Sequence, residues 1–167
     1  NTTEAILALS IATGEDLTNS ATIVSSTMQQ FGLTSLDATR ITDVMTESFN
    51  KSALGLEEFG LSMKYVAPIA RSLGFTIEET TAMLGVLADA GIKGEQAGTS
   101  LRFIMTAVAE KGGDAKEVLK EMAQSGSTVS GALDEVGRNA MSALQILSSN
   151  QPKLEEFTKA MDDAAGA

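Results

Sequence analysis

The chain has 167 residues, 43% hydrophobic but only 4% aromatic, which fits one domain whose core is filled by Ala, Leu, Met, Ser and Thr. A formal charge of −10, with the twelve Lys and Arg scattered and never in a run, argues against a nucleic-acid partner, whose phosphates need a basic stripe. The absence of Cys and His removes disulfides, thiolate chemistry and the imidazole base, and no apolar run approaches the roughly 18 residues of a membrane span. With so few aromatics the core is expected to be thin and modestly stable. Neither Asn1 nor Gly166-Ala167 resembles a natural terminus, so the chain is read as a piece of a longer protein.

Helix signals run from end to end, with no convincing period-two strand. A short first helix is expected from about Thr3 to Ala12, ending before Gly14. Leu17, Ala21, Val24, Met28 and Phe31 then fall at steps of three and four, on one helical face, until Gly32 stops the helix in a left-handed conformation. Thr34 or Ser35 N-caps the next helix, whose stripe is Ala38, Ile41, Val44 or Met45, Ser48 and Phe49. From Leu56 the pattern is Leu56, Phe59, Met63, Val66, Ala70 and Leu73. Pro68 inside it predicts a kink or break near Val66-Ala67, because an interior proline costs about 3 kcal/mol.

Gly74 stops that helix. Thr76-x-x-Glu79 is a capping box opening the next, with Ile77, Thr80 or Thr81, Leu84 and Leu87 as its buried stripe and Gly91 as its end. After the glycine turn come Ala97, Leu101, Ile104, Met105 and Val108, up to Gly112-Gly113. Asp114-x-x-Glu117 starts a shorter helix with Val118, Leu119 and Met122. A turn is expected at Gly126 to Thr128, then a short helix marked by Val129, Leu133 and Val136. Gly137 to Asn139 is a possible interruption before Met141, Leu144 and Leu147. Pro152 suits a first helical position for the last helix, with Leu154, Phe157 and Met161; fraying is expected at Asp162-Asp163, against the helix dipole.

An internal echo runs through the first half. Phe31-Gly32-Leu33-Thr34 with Asp37, Ile41 and Val44 matches Leu73-Gly74-Phe75-Thr76 with Glu79, Met83 and Val86. The pattern is either a repeated helix-hairpin unit or a common way of joining two helices.

No chemistry emerges from the residues. Without His or a G-x-S-x-G elbow a Ser-His triad is excluded, and nothing points to a Ser-Lys dyad. The adjacent acids Glu57-Glu58, Glu78-Glu79, Asp134-Glu135 and Glu155-Glu156 sit near helix starts, where the dipole explains them better than paired-carboxylate catalysis does. Gly91, Gly94 and Gly98 invite a phosphate-loop reading, but Lys93 precedes Gly94 and Glu95 follows it, which is the wrong order and an acid in the cradle. The Gly94-x-x-x-Gly98 spacing instead suggests two helices in close approach. No metal spacing is present, and the eight methionines fall mostly on the apolar stripes. Catalytic, cofactor and metal residues are therefore assigned as none.

Four stretches in order carry a family likeness: F-G-L-T-S-L-D-A at Phe31 to Ala38, K-Y-V-A-P-I-A at Lys64 to Ala70, L-G-F-T-I-E-E-T-T-A at Leu73 to Ala82, and G-I-K-G-x-x-A-G-T-x-L-R at Gly91 to Arg102. Together they resemble the core region of phage tail tape measure proteins, most strongly over about residues 16–102. The motif residues are Gly91, Lys93, Gly94, Ala97, Gly98, Leu101 and Arg102, with Gly32, Thr34, Gly74 and Thr76 at helix junctions; none is assigned a chemical role.

The resemblance implies a non-enzymatic module of a phage or prophage tail, involved in tail length determination and assembly. It implies tail tube, other tail proteins and tail assembly chaperones as partners, with possible self-association. It places the protein in the virion tail, and in the host cytoplasm during assembly. A membrane-active helical domain aiding genome ejection is the alternative, and a cell-wall hydrolase a more distant one. The expected fold is all-α, a compact bundle of about eight to ten short helices without a sheet. Residues 1–112 should form a core of two similar helix hairpins, and 113–167 a trailing set of shorter helices in the same domain.

Overall fold

Glycines and capping side chains cut this chain into helices, and the computed structural model describes residues 1–125 and 135–166 of the result. Among the described residues every regular element is helical: α1 (Thr2–Thr13), α2 (Leu17–Phe31), a 3₁₀ turn (Ser35–Asp37), α3 (Ala38–Lys51), α4 (Leu56–Ser72), α5 (Ile77–Asp89), α6 (Gly94–Lys111), α7 (Ala115–Ser125), α8 (Glu135–Ser149) and α9 (Gln151–Ala165). The all-α reading holds. The expected turn at Gly126 to Thr128, the apolar residues Val129 and Leu133, and Asp134 of the acidic pairs lie outside the described residues.

The helices form two layers. In one, α2, α4, α6 and α8 pack side by side in that order; in the other, α1 packs on α3 and α3 on α5. The chain then doubles back, and α9 lies against both α3 and α5. A single apolar core runs between the layers, from Leu9 through Phe59, Leu84 and Met105 to Met161. Phe49 and Phe59 meet edge to face within it, ring centroids 5.9 Å apart.

Three sequence expectations change. Pro68 does not break α4, which runs unbroken from Leu56 to Ser72. The carbonyl deprived of its partner is that of Lys64, and both residues lie on the exposed face, where water can serve the orphaned acceptor. Gly137 to Asn139 does not interrupt a helix either, since α8 continues through it to Ser149. Leu17, first in the expected stripe of α2, is an exposed residue, while Val24, Met28 and Phe31 of the same stripe are buried.

The larger difference is α5. The sequence pattern predicts a one-sided stripe, yet Ile77, Glu78 and every residue from Thr80 to Ala88 are buried. The reason is position: α5 touches α3, α4, α6, α8 and α9, so it is the axis around which the other helices are laid. A helix apolar or small on all sides is a helix buried on all sides.

Candidate functional site

The feature that the sequence singles out is a set of glycine junctions, and each is built alike. At the end of α2 the Leu33 N–H donates to the Met28 carbonyl (2.8 Å) and the Gly32 N–H to that of Gln29 (3.1 Å), with Gly32 at φ +68°. At the end of α4, Phe75 N–H reaches Ala70 O (3.0 Å) and Gly74 N–H reaches Arg71 O (3.1 Å), with Gly74 at φ +82°. At the end of α5, Ile92 N–H reaches Leu87 O (2.9 Å) and Gly91 N–H reaches Ala88 O (2.9 Å), with Gly91 at φ +89°. This is the Schellman arrangement three times over, with Leu33, Phe75 and Ile92 as the apolar residue that follows the glycine.

The exits also agree at the first two junctions. Thr34 and Asp37 form a reciprocal capping box, and so do Thr76 and Glu79. The third differs: Lys93 precedes α6 without a side-chain cap, and its side chain is exposed. There the motif residues divide by task. Gly91 turns the chain, and Gly94, Ala97, Gly98 and Leu101 are buried. Gly98 is held so closely against α4 that an added Cβ would lie 2.8 Å from the Ser62 Cα and overlap the Ser62 carbonyl oxygen. The Ser62 hydroxyl in turn donates to the Gly94 carbonyl at 2.7 Å. Arg102 is exposed over the Tyr65 ring, 6.0 Å from its centroid, and the Tyr65 hydroxyl donates to Glu95 at 2.8 Å. That hydrogen bond to Glu95, with burial second, raises the pKa of the phenol. The α4–α6 pair is the most extensive helix contact among the described residues. Gly91→Val should cost about 1–2 kcal/mol from backbone strain alone, because no atom lies within 4 Å of the position its Cβ would take. A urea titration with an unchanged midpoint would contradict the left-handed turn.

Charge is arranged around the start of α5. Glu78, only 3% exposed, accepts from Arg40 Nε at 2.8 Å, while Arg40 Nη1 reaches Asp37 at 3.2 Å. The bond to Glu78 raises the Arg40 pKa further, and the Thr34 backbone N–H holds the Asp37 carboxyl below the usual range. Glu79 receives the Lys116 ammonium at 2.6 Å. Sequence reasoning placed Glu78 and Glu79 as dipole partners and missed these links, which join residues 38 and 37 positions apart. Asp162 lies close by: burial, then Glu78, Glu79 and Asp163, push its pKa up. A carboxyl whose pKa is raised by folding weakens the fold when ionised, and the penalty is relieved as the pH falls through its folded value. Asp162→Asn is therefore expected to raise the melting temperature at pH 7 and to leave it unchanged near pH 3, where aspartate is protonated in both states. Equal melting shifts at both pH values would refute that electrostatic origin.

A cleft of about 400 Å³ opens between α7 and α9. Its floor is Phe75, Met83, Leu119, Leu147 and Leu154, and Lys120, Glu155, Lys159 and Asp162 stand on its rim. No group of three potential metal ligands occurs among the described residues, and none of their helices is long and apolar enough to cross a membrane. Among the described residues the closest-fitted feature is the α4–α6 contact, which holds two helices in register.

The family model for phage-related minor tail proteins matches residues 1–167. The chain belongs to that family. It is similar to the tape measure protein of Pneumococcus phage Dp-1, 30% identical over 190 residues, and to the probable tape measure protein of Escherichia phage P2, 32% identical over 120 residues. These alignments cover 97% and 72% of the chain but only 16% and 15% of the relatives, so the chain spans about one-sixth of their length. No solved structure matches it. The likeness to tape measure proteins drawn from the four sequence stretches agrees with these relatives, and the family is one of phage tail structural proteins.

Proposed function

We propose that this chain is a compact assembly module of a phage or prophage tape measure protein, acting in tail length determination and tail assembly. Its partners in this reading are the tail tube and other tail proteins, with tail assembly chaperones before the tail is complete. It works in the virion tail, after a passage through the host cytoplasm during assembly. The observation that carries the reading is the family match along the whole chain, together with relatives named as tape measure proteins. The glycine junctions give the module its physical character. A measuring rod of straight helix would convert 167 residues into roughly 250 Å at 1.5 Å per residue. Folded into two layers, a chain of this size is on the order of 40 Å across.

The test is an in-frame deletion of this segment from the phage gene, with tails measured by electron microscopy. The reading expects either a loss of tails or a shortening far below roughly 250 Å. Shortening by the full straight-helix length would refute a compact module, and normal numbers of tails at unchanged length would refute the assembly role.

A further inference from the structure

We propose that the outer face shared by α4 and α6 is a docking surface for an acidic helical segment of a partner protein. The proposal adds a surface to the tape measure reading and does not depend on it. Charge is divided between the two layers. In one, α3, α5 and α9 carry acids along their length, among them Asp43, Glu47, Asp89, Glu155 and Asp162. In the other, α2 has no charged residue, α4 has no acid after Glu58, and α6 has none between Glu95 and Glu110. On that acid-free stretch of α4 and α6 stand Lys64, Arg71 and Arg102, all exposed. Arg40, Lys51, Lys116 and Lys153 are each matched to a carboxylate, whereas these three meet none among the described residues. They are held in place all the same. Lys64 and Arg102 lie 5.9 and 6.0 Å from the centroid of the Tyr65 ring. The Arg71 guanidinium lies against the Gly32 turn, at the negative end of the α2 dipole, which attracts it without cancelling its full charge.

Charge and spacing select the occupant. Leu61, Lys64, Pro68 and Arg71 follow at steps of three, four and three, so they form one stripe along the outside of α4. Leu61 is 49% exposed and Pro68 is exposed, which sets apolar contact area between the cations. Lys64 and Arg71 are two turns apart, roughly 10 Å at 1.5 Å per residue. Arg102 projects from the adjoining helix, whose axis lies about 8–10 Å away. A partner helix laid along this stripe meets the first two cations with carboxylates at i and i+7, and Arg102 with a third. Two of the three cations are arginines, whose planar fork takes a carboxylate through two parallel hydrogen bonds. A nucleic acid fits poorly: its phosphates, one charge per roughly 1.7 Å, need a dense basic stripe, and the chain offers three separated cations on a molecule of net charge −10.

The probe is a helical, alanine-based peptide with glutamates at i and i+7, titrated into the isotope-labelled chain and followed by NMR. Shift changes should saturate, concentrate in α4 and α6, and weaken as salt is raised. The triple variant Lys64→Gln, Arg71→Gln, Arg102→Gln should lose at least about tenfold in affinity. It should melt close to the parent temperature, because none of the three side chains makes an ion pair. Lys120→Gln with Lys159→Gln, on the rim of the α7–α9 cleft, should bind the peptide as the parent does. Four results overturn the proposal: no saturable shifts, equal binding by the triple variant, tighter binding of an oligonucleotide or of phosphatidylglycerol vesicles, and self-association of the chain that the triple variant loses. A full-length protein that fails to bind the peptide while this chain binds it would assign the face to flanking sequence of the same protein, and would overturn it too.

Discussion

Gly98→Val is expected to destabilise the domain by about 3 kcal/mol or more, the overpacking cost of forcing side-chain volume into a closed contact. Helix propensity alone predicts the opposite sign, since replacing an interior helical glycine gains up to roughly 1 kcal/mol. Packing decides. A Cβ at position 98 would lie 2.8 Å from the Ser62 Cα and 3.0 Å from its carbonyl carbon, so it meets backbone that cannot rotate away. Relief requires α4 and α6 to separate along their extensive contact, and separation would stretch the Ser62–Gly94 hydrogen bond. For a domain of this size the cost corresponds to a melting temperature lower by roughly 6–12 °C. Because the obstruction is backbone, Ser62→Gly should not rescue the variant. Gly98→Ala should destabilise in the same direction by less, and an alanine variant that melts at or above the parent temperature would show that the helices are further apart than described.

Local signals in this sequence were legible and distant ones were not. Gly32, Gly74 and Gly91 announce helix ends because few other residues tolerate a positive φ, and Thr34 and Thr76 announce starts because a hydroxyl caps a backbone N–H two or three residues ahead. The close approach of two helices at Gly94 and Gly98 could be read from spacing alone, but the partner, α4 through Ser62, could not. Pro68 misled because its effect depends on which way the helix faces. On the solvent side it leaves a carbonyl to water and the helix survives. Glu78 misled because its cation, Arg40, belongs to another helix. The burial of α5 did leave a trace, the uncharged run from Thr80 to Ala88, which is wider than a one-sided stripe.

The most distant relation is the return of α9, and it carries the second large expected effect. Phe157→Ala should cost about 3–5 kcal/mol, in the range of buried aromatic truncations. Phe157 is buried where α9 meets α5, and its ring fills the space left by Gly85, whose added Cβ would lie 3.2 Å from Phe157 Cδ2. The glycine and the ring are a matched pair, and an alanine at position 85 would require the ring to give by a few tenths of an ångström. Polar contacts pin the helix at the same place: Lys153 pairs with Asp89 and lies over the Phe157 ring, and Asp89 also receives the Ala53 N–H at 2.7 Å. Asp89 thereby ties the loop before α4, the end of α5 and the start of α9. Removing the ring empties the joint at the centre of this arrangement, so unfolding should remain one cooperative transition that moves to lower denaturant. If Phe157→Ala instead released α9 alone, hydrogen exchange would rise in residues 151–165 while α5 stayed protected. That pattern would show α9 to be an accessory to the stack and not one of its supports.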